Sequence, residues 1–454
     1  MRRLSMEWRT LLSSRRLGVN GQVPLSIGRS EYQRDFDRIA FSSSFRRLQD
    51  KTQVVPLPAS DFVRTRLTHS LEVSSIGRSL GIQVGRHIFP NDYEKVADLG
   101  SIVAAACIAH DLGNPPFGHS GEDAIQHWFT VGSGKKHIKT LPIAQRKDFE
   151  KYEGNAQGFR ILARLQDRSR LGGLQLTYAT LAAFTKYPKE SHARKGGGIH
   201  NGNSTKKFGF FQEDKELFRQ IAEELKLFKR DSSSYCWARH PLAFLVEAAD
   251  DIAYLIIDFE DGYRLKRIDY KDIYDPFKKI IKSKKIIAES KSIRREELRI
   301  AFLRSRVINT LVGQVSKCFL DHEKEILAGR FDEDLIGVIP ARDILQFIKT
   351  ISIREVYAAR EVAEIEAAGF EVLGGLLNAF VSAASDVAKN GKEASKKSKK
   401  LVQLIPEQFL DQPNLPKKDD YSRILQVLDF VSGMTDSYAV SLYKKITGIS
   451  LPNG

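Results

Sequence analysis

Cysteine is scarce in this sequence, with three residues among 454. Cys107, Cys236 and Cys318 are too few and too widely spaced for a disulfide framework or for a metal site built from thiolates. Each is expected to fill core or surface space in a reducing compartment. The sequence therefore excludes the class of small secreted proteins that disulfides hold together.

Long apolar runs are also lacking, since no uninterrupted stretch reaches the roughly 18 residues that a membrane-spanning helix needs. The first residues are basic, but no apolar segment follows them, so a secretory signal is not expected. These absences predict a cytoplasmic protein with no membrane partner.

Acidic residues are in the minority, because 56 Asp and Glu stand against 71 Lys and Arg, for a formal net charge of +15. Such a surplus favours polyanionic partners, either nucleotides or nucleic acid. Two lysine runs, 278–285 and 389–400, concentrate this charge; the first alternates with isoleucines and the second lies in a Gly/Ser/Lys stretch. The plainer interpretation of each run is a solvated face or loop. The alternative is a footprint for DNA or for an allosteric nucleotide.

Hydrophobic periodicity predicts an all-α protein with minor extended segments. The length allows two or three units, and we expect an N-terminal arm and helix (1–60), a core (61–270) and a helical C-terminal region (271–454). No internal repeat is present. Finer expectations are a helix over 32–48, an extended piece at 54–56, a polar loop at 131–150, a helix near 155–165, a mobile loop at 188–212 and a lysine-rich linker near 388–400.

His110 and Asp111 stand where a run of small apolar residues stops at Gly113 and two prolines. A helix should end there, so both side chains would project from its last turn into a cleft. An imidazole nitrogen and a carboxylate oxygen are good ligands for a small divalent cation. An isolated His-Asp pair means little, and its interpretation depends on further ligands elsewhere in the chain.

Two other segments supply such ligands. His69 heads a predicted helix, although a lone histidine is more often an ordinary core or surface residue. Pro241 opens an amphipathic helix on which carboxylates recur beside the apolar stripe. Spacing alone leaves Asp250 and Asp251 as alternatives, but Asp250 continues the polar face and Asp251 is rotated about 100° from it. The carboxylates and the phenol of this face are Glu247, Asp250, Tyr254, Asp258 and Asp261.

These segments, in this order, resemble the HD-domain metallophosphohydrolases. More specifically, the sequence resembles the bacterial deoxyguanosine triphosphate triphosphohydrolase family from about residue 30 to about residue 445. The matching stretches are Lys51-Thr52-Gln53-Val54, Arg64-Thr65-Arg66-Leu67-Thr68-His69-Ser70, Asn114-Pro115-Pro116-Phe117-Gly118-His119, Glu153-Gly154-Asn155-Ala156-Gln157-Gly158, Glu247-Ala248-Ala249-Asp250-Asp251-Ile252 and Val431-Ser432-Gly433-Met434-Thr435-Asp436.

The resemblance implies one divalent cation held by His69, His110, Asp111 and Asp250. Mn²⁺ or Mg²⁺ would be the first choice, with Fe²⁺, Ni²⁺ or Co²⁺ as alternatives that the ligand types also accept. It further implies a catalytic histidine, His119, with Glu122 as its acidic partner. An isolated His-x-x-Glu would otherwise indicate a helix cap or a surface pair.

The resemblance also implies the contacts to substrate. Arg66 and Arg64 would bind phosphate, since guanidinium groups suit phosphate oxygens; without that context either arginine could form a surface ion pair. The remaining implied contacts are Lys186 and Tyr187 to the triphosphate, Gln53 to the sugar 3′-hydroxyl, and Tyr254 and Asp258 near the sugar. Tyr254 could instead be a core residue.

The expected reaction converts a dNTP, with dGTP first, and water to deoxynucleoside and inorganic triphosphate. In it His119 would transfer a proton, and Lys186 and Arg66 would neutralise charge on the triphosphate. The alternatives are an HD phosphohydrolase acting on another nucleotide or on a nucleic-acid end, and a DNA-binding or nucleotide-sensing protein with a structural metal. An activating dNTP, single-stranded DNA and a homo-oligomer, as large as a hexamer, are the further expected partners.

Overall fold

A computed structural model describes residues 5–19, 21, 28–53, 64–167, 169–193, 202–358, 360–410 and 412–450, without the side chain of Glu361. Within these ranges the regular structure is helical, which confirms the predicted all-α class. Extended pairing in the described part is limited to isolated bridges such as Arg16 with Thr177 and Thr52 with Thr65. The extended piece expected at 54–56 and the middle of the 188–212 loop lie outside the described residues.

The helices of the first 270 residues include the three long ones that carry the candidate metal ligands. They are α1 (Trp8–Leu11), α2 (Glu31–Ala40), α3 (Ser43–Arg47), α4 (Arg66–Ile88), α5 (Tyr93–Ala109), α6 (Gly118–Thr130), α7 (Lys135–Ile138), α8 (Ile143–Glu150), α9 (Gly154–Arg160), α10 (Tyr178–Phe184), α11 (Lys215–Glu224) and α12 (Pro241–Arg264).

The rest of the described chain forms nine more helices. They are α13 (Tyr270–Ile281), α14 (Lys284–Ser292), α15 (Glu296–Asp321), α16 (Glu323–Leu327), α17 (Arg342–Ser352), α18 (Arg360–Asn390), α19 (Lys396–Gln403), α20 (Asp420–Ser432) and α21 (Asp436–Thr447). A π-helical turn extends α9 over Ile161–Leu165, and a second one, Ile353–Tyr357, follows α17.

Three sequence expectations need correction. The helix expected over 32–48 is broken at Ser42, whose hydroxyl accepts a hydrogen bond from Phe45 N and starts α3. The loop expected at 131–150 contains α7 and α8. The linker expected near 388–400 is the end of α18, a 3₁₀ turn and the start of α19. By contrast, the helix expected near 155–165 is present, with α geometry up to Arg160 and π geometry after it.

Glycines allow the two helices with the histidine ligands to pack closely. A Cβ on Gly81 in α4 would lie 2.8 Å from Leu99 O in α5, and a Cβ on Gly77 would lie 2.4 Å from Cys107 Sγ. Ser74 adds a hydrogen bond across the same contact, to Ala104 O at 2.9 Å. Helix α12 packs against both α4 and α5, so three helices from distant parts of the chain converge on one site.

Buried apolar side chains form two clusters in the described part of the chain. The larger one joins α4, α5, α10 and α12 with helices α13 to α17. The smaller one joins α6 and α8 with helices α18 to α21. Helix α18 is long and apolar enough to cross a membrane by length and composition, but half of its apolar window is buried inside the fold. Its apolar residues thus contribute to the core of the fold.

Arg160 connects the smaller cluster to the rest of the molecule. Its guanidinium is buried and donates to both carboxylate oxygens of Asp429 on α20, with Nε 2.8 Å from Oδ1, and to Asp214 at 3.1 Å. A planar guanidinium can bridge two carboxylates in this way because its N–H groups point outward in a fixed plane. Asp214 and Asp429 are themselves buried, so the three charges depend on one another.

Candidate active site

His69, His110 and Asp250 converge where α4, α5 and α12 meet. His69 Nε2 lies 3.1 Å from Asp250 Oδ1, and His110 Nε2 lies 3.5 Å from the same oxygen. One ligand atom from each of the three residues falls within 4.8 Å of the other two. Helix α5 ends at Ala109 with His110 as its C-cap, as the sequence predicts. The structure thus brings together three of the four predicted ligands as a compact donor set.

Asp111, the fourth predicted ligand, lies beside this set. Its Oδ1 is 3.5 Å from His110 Nε2, while its Oδ2 accepts from Arg66 Nη1 at 2.7 Å. Asn114 also donates to Oδ1. Burial would raise the pKa of Asp111, but Arg66 and the neighbouring imidazoles outweigh burial and lower it to about 2. Asp111 is therefore an ionised carboxylate with one oxygen directed at the cluster.

The electrostatics of the cluster favour a positive charge at its centre. Burial would lower the pKa of His110, but Asp111 and Asp250 outweigh it and raise that pKa to about 9. His110 Nδ1 donates to Cys107 O at 2.7 Å, which leaves Nε2 to face the carboxylates. Two imidazole nitrogens and two carboxylate oxygens suit Mn²⁺, Mg²⁺, Fe²⁺, Ni²⁺ or Co²⁺. The residues present therefore fit the predicted divalent cation.

A cleft of two lobes opens on either side of this cluster. The polar lobe has a volume of about 200 Å³ and the aromatic lobe about 360 Å³. Asp111, His119 and Asp250 line both lobes, so the cluster lies at their junction. A substrate that fills both lobes would place its middle beside the cluster.

Cationic and amide side chains line the polar lobe. Lys186 Nζ lies 3.2 Å from Glu247 Oε1, and Arg239 Nη1 donates to Glu247 Oε2 at 2.7 Å. Burial would lower the pKa of Lys186, but Glu247 outweighs burial and raises it, so the amine keeps its charge. The other polar residues of this lobe include Asn114, Glu122, Glu153, Asn155, Tyr187 and Lys207.

The aromatic lobe has a wall of stacked rings. The rings of Tyr254 and Tyr357 lie 5.6 Å apart at 12°. Gln53 lines this lobe, and its Oε1 is buried without a hydrogen-bond partner in the described structure. Val362, Ile365 and Glu366, at the start of α18, complete the wall. This lobe therefore combines a flat aromatic wall with several polar and charged side chains.

His119 lies at the junction of the lobes, but no hydrogen bond joins it to Glu122 among the described contacts. Glu122 Oε1 accepts from Gly154 N at 2.7 Å, and its Oε2 lies 3.3 Å from Lys207 Nζ. Partial burial, then the charges of Arg66 and Lys207, lower the pKa of His119. The pairing of His119 with Glu122 expected from sequence is absent here, because Glu122 is held by the start of α9 and by Lys207.

Arg64 and Asp258 do not line either lobe. Arg64 Nε donates to Glu72 at 3.0 Å, and its Nη1 forms a close ion pair with Asp261. Asp258 lies behind the aromatic wall, where its Oδ2 accepts from Tyr357 OH at 2.9 Å. Burial raises the pKa of Asp258 to about 7. Both residues support the site from outside the cleft in this structure.

Every carboxylate on the polar face of α12 has a partner from another element. The pairs, which relieve the repulsion expected between them, are Glu247 with Arg239 and Lys186, Asp250 with His69 and His110, Asp258 with Tyr357, and Asp261 with Arg64. The carboxylates of α12 therefore hold side chains from several other segments in place around the site.

Sequence reasoning missed several residues of the cleft, of which four bear on the proposed chemistry. Lys207 and Asn155 line the polar lobe, and Tyr357 and Glu366 line the aromatic lobe. Lys207 lies in the Gly/Lys-rich loop, where one lysine among many carries no signal. Asn155 lies in the stretch Glu153 to Gly158, which resembles the family, and this resemblance was the signal that could have identified it. Tyr357 and Glu366 lie in the region beyond residue 270, which showed only helical periodicity.

Comparison with known proteins gives two family matches. The model of the HD domain matches residues 66–170, which include His69, His110, Asp111 and His119. The model of the phosphohydrolase-associated domain matches residues 340–445, from α17 to α21.

Similar proteins span the whole chain. A deoxyguanosinetriphosphate triphosphohydrolase-like protein of Synechocystis sp. is 44% identical over 98% of this chain and 100% of its own length. One from Pseudomonas aeruginosa is 39% identical over 99% of this chain and 100% of its own length. The deoxyguanosinetriphosphate triphosphohydrolase of Yersinia enterocolitica is 28% identical over 91% of this chain and 93% of its own length.

Proposed function

We propose a reaction for this chain on the basis of its family. The chain belongs to the deoxyguanosinetriphosphate triphosphohydrolase family of HD-domain hydrolases. In our proposal, it converts a dNTP and water to a deoxynucleoside and inorganic triphosphate. The preferred substrate in this proposal is dGTP, and the reaction depends on one divalent cation. The bond between O5′ and the α-phosphorus breaks, the water oxygen joins that phosphorus, and O5′ takes up a proton.

The two-lobed cleft is the observation that carries this proposal. The polar lobe, with Lys186, Lys207 and Asn155, suits a chain of three phosphates, and the aromatic lobe suits a nucleoside. A dNTP that fills both lobes places its α-phosphate beside His69, His110, Asp111 and Asp250. Cleavage at the junction of the lobes separates the nucleoside from the intact triphosphate, instead of releasing the terminal phosphate.

His69, His110, Asp111 and Asp250 would hold the divalent cation. When bound, such a cation polarises a phosphoryl oxygen and makes a nearby water a better nucleophile. Lys186, Tyr187 and Lys207 hold the triphosphate in the polar lobe, and Arg66 extends from the aromatic lobe toward Asp111. These groups orient the phosphates and neutralise their charge.

His119 is the residue that transfers the proton in this proposal. It lies at the junction of the lobes, where O5′ would lie, and an N–H of its ring can deliver a proton to that oxygen. A bound triphosphate would favour the protonated imidazole and so oppose the lowering of its pKa by Arg66 and Lys207. Glu122 acts at longer range, through the start of α9 and Lys207.

The aromatic lobe determines which nucleoside is accepted. Gln53 Oε1 lacks a donor in the described structure, and a sugar 3′-hydroxyl would supply one. A sugar packed against Tyr254 leaves no room for a 2′-hydroxyl, so a ribonucleotide would be rejected. Asp258 helps through Tyr357, the ring stacked on Tyr254. Besides the proposed metal ligands Asp111 and Asp250, Glu366 supplies a carboxylate to this lobe, and a carboxylate can accept from both N1–H and the 2-amino group of guanine.

Effectors and assembly belong to the same proposal. The lysines of 278–285 are exposed on α13 and α14, while Ile280 and Ile281 are buried, so this run is a basic face on a packed helix pair. The lysines of 389–400 are mostly exposed around the start of α19. We propose these faces for single-stranded DNA or an activating dNTP, in a cytoplasmic homo-oligomer. Lysine-to-glutamine variants of either run should weaken salt-sensitive DNA binding.

The decisive experiment is incubation of the purified protein with Mn²⁺ and each of the four dNTPs, singly and mixed, with chromatographic identification of products. We expect deoxyguanosine and intact triphosphate from dGTP, and none from GTP. Activity only in the mixture would identify an activating nucleotide. Release of orthophosphate or pyrophosphate, or no deoxynucleoside under any condition, would overturn the proposed reaction.

A further inference from the structure

Asp436 joins three segments that are far apart in the sequence and meet at the aromatic lobe. Its carboxylate is 2% exposed and sits in the first turn of α21, at the end of the stretch Val431 to Asp436. Asp436 Oδ1 accepts from Phe117 N at 3.0 Å. Its Oδ2 accepts from Thr52 N at 3.0 Å and from Thr52 Oγ1 at 2.8 Å. Three donors thus satisfy one buried carboxylate.

Each of these donors lies within two residues of a side chain to which we assign a role in substrate binding or catalysis. Thr52 precedes Gln53, the proposed contact to the sugar 3′-hydroxyl. Phe117 begins the turn into α6, two residues before His119. Thr52 and Phe117 also line the aromatic lobe directly. Asp436 itself does not line the lobe, so it can act only by holding residues that do.

The turn at Phe117 needs such a restraint. Phe117 has a φ of 65°, a left-handed conformation that costs a non-glycine residue energy unless its surroundings hold it. Gly118 follows with a φ of 60°, and a Cβ there would lie 2.5 Å from Arg66 Nη2. The carboxylate of Asp436 holds the N–H of the strained residue, and this fixes the direction in which α6 and His119 leave the turn.

A second contact reinforces the same junction from the neighbouring residue. Lys51 Nζ is buried and donates to Asn114 O at 2.5 Å and to Ser432 O at 3.1 Å. Lys51 and Thr52 therefore lie between the loop of Asn114 and Phe117 on one side and the junction of α20 and α21 on the other. The C-terminal helices thus contact the turn of Asn114 to Phe117, which leads to His119, through polar groups as well as through apolar packing.

We propose that Asp436 is a positioning residue for catalysis, one that places Gln53 and His119 relative to each other across the nucleoside. This inference rests on the proposed function for its kinetic consequences, but the anchoring itself does not depend on it. Loss of the Thr52 contacts should weaken recognition of the 3′-hydroxyl, and loss of the Phe117 contact should misplace His119.

Asp436→Asn tests this, because the amide keeps the shape of the carboxylate but turns an N–H₂ group toward one of the donors. We expect KM for dGTP to rise about tenfold, kcat to fall, and the preference for dGTP over 2′,3′-dideoxy-GTP to fall at least fivefold. Thr52→Val should reduce the same preference, because it removes the hydroxyl contact to Asp436 and keeps the one from Thr52 N. Ser437→Ala is the matched control, because Ser437 is exposed on the same helix and bonds Asp50 at 2.9 Å.

Two further measurements separate positioning from misfolding and from failure of the proposed function. Mn²⁺ affinity, measured by electron paramagnetic resonance, should be unchanged in Asp436→Asn, because the ligand helices are untouched. Hydrogen exchange of the Phe117 amide should accelerate at least tenfold in Asp436→Asn and not in Ser437→Ala. Wild-type exchange at Phe117, or a wild-type preference for dGTP over the dideoxy analogue, would overturn the inference. If the wild-type protein hydrolyses no dNTP, the proposed function fails, and the exchange result still decides the anchoring.

Discussion

Replacement of Lys186 by methionine should cost more activity than replacement of Lys207, although both lysines line the polar lobe. Lys186 and Arg239 share one carboxylate, Glu247, so this group of three carries a net charge of +1. Lys207 lies between Glu122 and Glu153, at 3.3 and 3.0 Å, so its charge is already opposed by two carboxyl groups. The surplus positive charge that can attract a triphosphate therefore lies at Lys186.

The magnitude follows from the distance and exposure of the amine. Two unit charges about 4 Å apart gain about 4 kcal/mol at the effective dielectric constant of a protein surface. The Lys186 side chain is 30% exposed, so solvent screening reduces this gain to about 2 to 3 kcal/mol. Lys186→Met should thus lower kcat/KM for dGTP by ~30- to ~150-fold. Lys207→Met should lower it less than about tenfold.

The assay is steady-state hydrolysis of dGTP, with thermal unfolding measured in parallel. Stability should change little in Lys186→Met, because Arg239 still neutralises Glu247. Lys206→Met is the control, since Lys206 is exposed and adjoins Lys207 in the chain. An Lys186→Met enzyme with kcat/KM within threefold of the wild type would refute the charge argument. So would a larger loss in Lys207→Met than in Lys186→Met.

Three other perturbations give distinct expectations. His119→Ala should keep Mn²⁺ and dGTP binding, measured by calorimetry, and lose about 10²- to 10⁴-fold in kcat; normal turnover would remove His119 from the chemistry. Burial, and then the charges of Arg66 and Lys207, lower the pKa of His119. Because a general acid works only while it is protonated, activity should fall as the pH rises through this pKa. Lys207→Met should therefore move the alkaline fall of kcat/KM to higher pH, and a shift to lower pH would contradict this. Arg160→Met should destabilise the fold by about 3 to 5 kcal/mol in urea unfolding, because it leaves Asp429 buried without its cation; an unchanged midpoint would show that the network is dispensable.

The sequence predicted the parts of the site that local pattern controls. The end of α5 at His110 follows from small apolar residues that stop before Gly113 and two prolines, and the start of α12 follows from Pro241. The choice of Asp250 over Asp251 rested on the polar face of the helix and on the family resemblance, and the structure brings His69 and His110 together with Asp250. These features depend on residues within a few turns of each other.

The parts that long-range packing controls could not be predicted. Glu122 stands three residues after His119, yet it bonds Gly154, since α9 packs on this loop so closely that a Cβ on Gly113 would lie 2.0 Å from Gly154 O. Arg64 resembled a phosphate ligand, but Asp261 and Glu72 hold it outside the cleft. Such partners come from elements far away in the sequence, and periodicity carries no information about them.

The two walls of the cleft come from different stretches of the chain. The histidines, the aspartates and Lys186 precede residue 260, whereas Tyr357, Val362, Ile365 and Glu366 follow residue 350. In the proposed reaction, the contact to the base is therefore encoded apart from the metal ligands and His119, whereas the sugar contacts Gln53 and Tyr254 lie in the same stretch as those residues. On this proposal, substitutions around 357–366 should change the base preference while the metal ligands and His119 stay in place. Within one scaffold, new substrate preferences can thus evolve, or be engineered, without rebuilding the reaction itself.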